Sequence, residues 1–232
     1  MSMAEGTTSP AFADQWGRPY GDPRWGKVPG AMEPTPHAYV GNGRTRESII
    51  EDLLRIIEPS SALTPPPLRE GLRETPERVM KAWDHWTGGY HIDPEELLKT
   101  FEDGAKNYDE IILVRDIPVY SHCEHHLAPF FGVAHVGYIP CGKIVGLSKL
   151  PRVVDAFARR LQVQERLTTQ VADTINRVLK PKAVGVVIEC RHMCMESRGV
   201  KQAGTSTRTS ALRGAFKDKP EARAEFFALI GR

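Results

Sequence analysis

Ser121-His122-Cys123-Glu124-His125-His126 sets four side chains in a row, Cys123 to His126, each of which can bind a metal, carry a proton or pair a charge. A single Cys-x-x-His is a weak signal, because a cysteine is more often a small apolar core residue than a ligand. The distant run His192-Met193-Cys194 strengthens it. Cys123 and His126 have the local spacing for one metal ion, and Cys194 and Cys190 compete for a third position. Three protein ligands on Zn2+ leave the fourth tetrahedral position to water, whose pKa then falls to roughly 7, and this suits hydrolysis at an electrophilic carbon. A fourth ligand such as Cys190 would instead close the site and make it structural. Cys141, beside a glycine turn, reads as structural. His125 and His192 both fall next to candidate ligands, where each can either move protons near neutral pH or orient a ligand without transferring protons. Two other metal patterns are absent: no Pro-Cys-x-x-Cys follows His122-x-Glu124, and there is no His-Glu-x-x-His.

Several basic residues accompany this cluster. Gly146-Leu147-Ser148-Lys149 ends a strand-like run and opens a helix, so its backbone N–H groups, the Ser148 hydroxyl and Lys149 can hold phosphate. Arg152 one turn later and Arg198, just past the second cluster, add charge. Each also reads as an ordinary cap or surface cation, but together, at element ends near a metal cluster, they point to a polyanionic substrate. Arg78 and Lys81 share a helix face, which is a solvated basic face unless something else marks it as an anion site. Glu165, near a helix start in Gln162-Val163-Gln164-Glu165-Arg166, complements the helix dipole and can equally accept a pair of N–H donors from guanine.

The elements that must position these groups follow from periodicity. Residues 1–43 are rich in Gly and Pro without either period, and read as a disordered arm. Ile49, Ile50, Leu53, Leu54, Ile56 and Ile57 recur at helical spacing. A second helix starts at Thr75-Pro76, and Asp93-Pro94 caps a short third, giving a helical region over 44–106. From 107 to 232 the character changes. Strands are expected over 111–120 and 131–139, with the first cluster in the loop between them; helices follow from Ser148 and from Val163 to Leu179. A strand from Ala183, if it continues, alternates Cys190, His192 and Cys194 onto one face. A hydroxyl-rich strand over 205–210 and a helix over 220–230 close the chain. The class is α+β, an antiparallel sheet backed by helices.

Length and charge narrow the partners. The 232 residues suffice for a core without disulfide staples, and a net charge of +2 gives no case for nucleic acid. Four cysteines without a secretory signal fit a reducing compartment, with the cytoplasm as the default, and no apolar run is long enough to span a bilayer.

Taken together, Tyr120-Ser121-x-Cys123-Glu124-His125-His126, Gly146-Leu147-Ser148-Lys149, Gln162-Val163-Gln164-Glu165-Arg166-Leu167-Thr168 and His192-Met193-Cys194-Met195 with Arg198-Gly199 resemble GTP cyclohydrolase I, over about 46–230. The resemblance implies that Cys123, His126 and Cys194 bind catalytic zinc, that His125 and His192 are the acid/base pair, and that Glu165 with Gln164 holds guanine. It implies triphosphate contacts at Ser148, Lys149, Arg152 and Arg198, with Arg78 and Lys81 as further contributors. The implied fold is the tunnelling fold, assembled as a ring-shaped homodecamer, and the implied reaction converts GTP to 7,8-dihydroneopterin triphosphate and formate. Neither the arm nor Cys190 inherits a role, and Glu124 is left with ligand support or a salt bridge.

Overall fold

The computed structural model describes residues 43–58, 67–102 and 107–231. The arm expected over 1–43 lies outside them except for Gly43, as does the boundary expected at 106. Helix α1, Arg46–Ile57, starts where the Thr45 hydroxyl accepts from the Ser48 N–H at 3.1 Å, and none of its residues is buried. Helix α2, Thr75–Trp86, has Pro76 in its first turn, where a missing N–H costs nothing. Asp93 to Glu96 does not form the expected short helix. The Asp93 carboxylate accepts from the Glu95 N–H at 2.9 Å, and this local bond closes a turn in place of a helical one.

Strand β1, Thr100–Phe101, pairs only with β4, Ile144–Val145, in a small sheet of its own. The main sheet has the order β5-β2-β3-β6-β7, with β2 Ile112–Cys123, β3 Pro129–Ile139, β5 Leu161–Gln162, β6 Ala183–His192 and β7 Thr207–Gly214. All its pairings are antiparallel except β5, which runs parallel to the end of β2 and sets Gln162 opposite Cys123. Helices α3, Lys149–Ala158, and α4, Gln164–Leu179, cover one face, burying Leu150, Val154, Leu167, Val171 and Ile175 against Val136, Tyr138, Val186 and Ile188. After the short helices α5, Met193–Glu196, and α6, Ala215–Asp218, the closing helix α7, Pro220–Ile230, forms a smaller core on the opposite face with Phe216 and Phe226. With helices on both sides, β6 reads as one unbroken apolar run and not as an alternating strand. Gly185 is required under α7, because a Cβ there would lie 2.6 Å from the Phe226 ring.

The feature that aims the first cluster is a bulge in β2. Val114 pairs with Val136 but Ile117 with Ala134, so β2 carries one extra residue, and Asp116 sits there at φ 55° with its N–H donating to His135 Nδ1 at 3.2 Å. Before the bulge Ile112 and Val114 face the large core. After it Ile117, Val119 and Cys123 do, so the insertion exchanges the two faces. Asp116→Val is expected to destabilise the fold by about 1–3 kcal/mol in chemical denaturation, because a β-branched residue resists this backbone region. Asp116→Gly, which adopts it freely, is expected to cost less, and equal costs would speak against a strained bulge.

Candidate metal centre

Cys123 ends β2 on the helical face and is 8% exposed. The chain then folds back in one tight turn, with the Cys123 N–H donating to Ala128 O at 2.9 Å and the Leu127 N–H to Cys123 O at 2.8 Å; Leu127 takes φ 53°. The expected loop is therefore shorter than 121–130, and Ser121 to Cys123 belong to the strand. Cys194 comes from the other direction. β6 stops at His192, so strand alternation does not deliver Cys194; one turn of α5 does, braced by Arg191 donating to the Glu196 carboxylate at 2.8 and 2.5 Å.

The ligand atoms of Cys123, His126 and Cys194 all lie within 4.8 Å of one another, and Cys123 Sγ is 3.7 Å from His126 Nδ1. Tetrahedral zinc, with Zn–S of about 2.3 Å and Zn–N of about 2.0–2.1 Å, needs donor separations of about 3.5–3.8 Å, so small adjustments fit the three to one ion. The donor chemistry agrees. Burial and the adjacent Cys123 thiol push the Cys194 thiol up, while Arg198 pulls the other way, and a dication between the sulfurs is what would let both ionise. Cys190 is 1% exposed in the large core, where burial, followed by Glu189, pushes its thiol up to about 12. Its thiol lies outside the group of donor atoms that Cys123, His126 and Cys194 form.

Two histidines flank the three ligands. His125 is exposed, with Nδ1 3.8 Å from Cys123 Sγ. His192 is half-buried, stacks on Phe130 with centroids 4.7 Å apart, and has Nε2 2.7 Å from Gln164 Oε1. Burial lowers its pKa, and the Glu165 carboxylate opposes that shift. A third histidine, His122, packs against Trp83 and Trp86 of α2 at 5.0 and 4.6 Å and joins that helix to the sheet.

Glu124 acquires a partner that its neighbours in sequence do not provide. It is ion-paired to Arg166 in the first turns of α4, and Arg166 also donates to Gln162 Oε1 at 3.1 Å and Leu161 O at 3.0 Å. The bond to Arg166 holds the Glu124 carboxyl below its usual range. Solvent screens the pair at this exposure, so its effect is to tie the ligand turn to α4. The signal for it was hidden because Arg166 is remote in sequence.

At the start of α3, Ser148 makes no capping bond with its side chain. Burial and then the charges of Arg152 and Lys99 push Lys149 down, so three cations gather here. Lys99 belongs to no motif in the sequence; it precedes β1, and the pairing of Thr100 with Val145 brings it to this end. Arg78 and Lys81 pair with Glu74 and Glu77 on their own exposed helix. Glu165 lies in the first turn of α4, exposed, whereas Gln164 is 1% exposed with its carboxamide bonded inside the chain.

Residues 50–231 match the family model described as GTP cyclohydrolase I. The chain belongs to the GTP cyclohydrolase I family. It is 66% identical over 163 residues to GTP cyclohydrolase 1 of Nitrosospira multiformis, covering 70% of this chain and 85% of that one. With GTP cyclohydrolase 1 of Janthinobacterium sp. (strain Marseille) it shares 66% over 161 residues, 69% of this chain and 81% of that. With that of Chlorobium phaeovibrioides it shares 54% over 184 residues, 79% and 81%. Of the residues that resemblance to GTP cyclohydrolase I singles out, Cys123, His126 and Cys194 converge and His125 lies beside Cys123, His192 meets Gln164, and Arg78 and Lys81 pair with carboxylates on α2.

Because Cys190 stays outside the ligand set, Cys190→Ala is expected to leave metal content per chain unchanged by elemental analysis, and Cys190 to resist alkylation in the native protein while the exposed Cys141 reacts. Loss of metal in that variant would make Cys190 a ligand.

Proposed function

We propose that this protein is a zinc-dependent GTP cyclohydrolase, converting GTP and water to formate and 7,8-dihydroneopterin triphosphate, the first step towards pterins and tetrahydrofolate. The observation that carries the reading is the convergence of Cys123, His126 and Cys194, a group that does not include Cys190, in a chain of this family. Cys123, His126 and Cys194 would hold a zinc ion, which would supply a Lewis acid able to lower the pKa of water towards neutrality.

The chain's own groups do the rest. His125, exposed beside Cys123, donates a proton to N7 of the purine, which makes C8 more electrophilic. Water adds at C8, the five-membered ring opens, formate leaves, and the ribose rearranges before the pterin ring closes. His192 carries protons in these later steps. Glu165 accepts from the guanine N–H groups, and its distance to His192 is short enough for the two charges to interact, which supports a base-binding position next to the acid/base group. Ser148, Lys149, Arg152 and Arg198 contact the triphosphate. The mutual repulsion of Lys149 and its cationic neighbours supports an anion there. Arg78 and Lys81 reach the triphosphate only by leaving their carboxylate partners.

We assign residues 44–106 to a helical region in front of a catalytic domain over 107–232, with a homodecamer as the working assembly. Among the described residues no helix is long and apolar enough to cross a membrane, and four free thiols support a cytoplasmic setting.

Purified protein incubated with GTP and then oxidised is expected to yield a fluorescent pterin and one formate per GTP consumed. Formate without pterin would mean that the chemistry stops after ring opening, and neither product would reject the reading. Cys123→Ala and Cys194→Ala are expected to lose zinc and formate release together. In His125→Ser, zinc stays while ring opening slows by roughly 10²–10⁴-fold. Glu165→Ala should instead raise KM for GTP by roughly tenfold or more, the worth of a charge-assisted hydrogen bond. Unchanged KM would remove Glu165 from the base site.

A further inference from the structure

Gln164 is one of the largest fully buried side chains in the protein, and its environment fixes which way its amide points. Its nitrogen lies 3.0 Å from Ile188 O, 2.9 Å from Thr207 O and 3.1 Å from Thr209 Oγ1. Two of these are backbone carbonyls, which only accept, so the NH2 group must face them; a flipped amide would set its oxygen against both. The Thr168 hydroxyl donates to Gln164 O at 2.7 Å and meets Thr209 Oγ1 at 2.6 Å, so the Thr209 hydroxyl donates to Thr168 and accepts from the amide. The network closes on itself across α4, β6 and β7.

One atom of the amide faces outward from this network. Oε1 lies 2.7 Å from His192 Nε2, and a carboxamide oxygen can only accept, so Nε2 must carry the hydrogen. The His192 ring is held in plane by Phe130, at 9° and 4.7 Å. We propose that Gln164 is a positioning residue for His192: it locks the ring in the Nε2–H tautomer, so that Nδ1 is the nitrogen that exchanges protons with the substrate, and its side chain does not bind guanine. This rests on the reading of His192 as an acid/base group, and departs from the guanine role that the family resemblance gives to Gln164. With both amide hydrogens and the oxygen engaged inside the chain, recognition of the base by this side chain would break a buried network, whereas Glu165, next in sequence and exposed, costs nothing to use.

The tautomer is measurable on the whole wild-type protein without turnover. Histidine-selective 15N spectra, with the His192 signals identified by their loss in His192→Gln, are expected to show Nε2 protonated and Nδ1 bare in the neutral ring. A neutral ring with its hydrogen on Nδ1 would overturn the proposal, and this test needs no Gln164 variant to fold. In steady-state kinetics with GTP, Gln164→Leu is expected to lower kcat by roughly a hundredfold, the cost of a misplaced catalytic group, with KM unchanged and zinc retained. A raised KM with kcat preserved would return Gln164 to guanine recognition and overturn it. No turnover in the wild type would count against the proposed reaction instead, and the tautomer result would still decide the positioning role.

Discussion

Between Val114 and Ile117, β2 carries one residue more than the strand it pairs with, and the metal end of the molecule depends on that insertion. In a regular strand the side chain at 123 would share a face with Ile111 and Leu113, which look towards α7. The bulge turns Ile117, Val119 and Cys123 towards α3 and α4 instead. Beyond it the register is strict: Ser121, Phe130 and His192 lie in one row across β2, β3 and β6. A slip of one residue between these strands would send Cys123 and His192 to opposite sides of the sheet.

The start of α4 then distributes three consecutive residues. Successive side chains on a helix point about 100° apart, so Gln164, Glu165 and Arg166 leave the helix in three directions. Gln164 turns into the core and meets His192, Glu165 stays exposed within electrostatic reach of the same ring, and Arg166 reaches across to Glu124 in the ligand turn. One helical turn thus meets His192, holds a carboxylate near that ring and braces the turn that carries His125 and His126. Burial divides the two histidines accordingly. His192 is stacked and hydrogen-bonded, whereas His125 is open to solvent beside the thiol of Cys123.

Much of this was legible in the residues. Alternation and β-branched runs point to β2, β3, β6 and β7 but not to the two-residue strands β1 and β5, and Ala183 to Ile188 reads as β6 because an apolar run survives burial on both faces. The Cys-x-x-His spacing singles out Cys123 and His126 but leaves Cys190 and Cys194 competing for a third position; the fold brings the donor atoms of Cys123, His126 and Cys194 within 4.8 Å of one another. What local reading could not supply was parity and partnership. The bulge at Asp116 has no periodic signature, so the face of Cys123 was invisible. Strand alternation brought Cys194 towards the right place for the wrong reason, because α5 interrupts β6 after His192. The Glu124–Arg166 pair and the approach of Lys99 to Lys149 are tertiary, set by strand pairing and helix placement. Arg78 and Lys81 show the converse: on spacing alone they share a face, and each is satisfied by a carboxylate one turn away on its own helix.

The proposed centre has two sulfurs and one imidazole on a single ion, with the fourth position left to solvent or substrate. X-ray absorption at the zinc edge of the purified protein addresses it without recourse to activity. Two sulfur neighbours at about 2.3 Å and two nitrogen or oxygen neighbours at about 2.0–2.1 Å are expected. A third sulfur in the shell would place Cys190 on the metal, make the site closed and structural, and rule out an open catalytic centre.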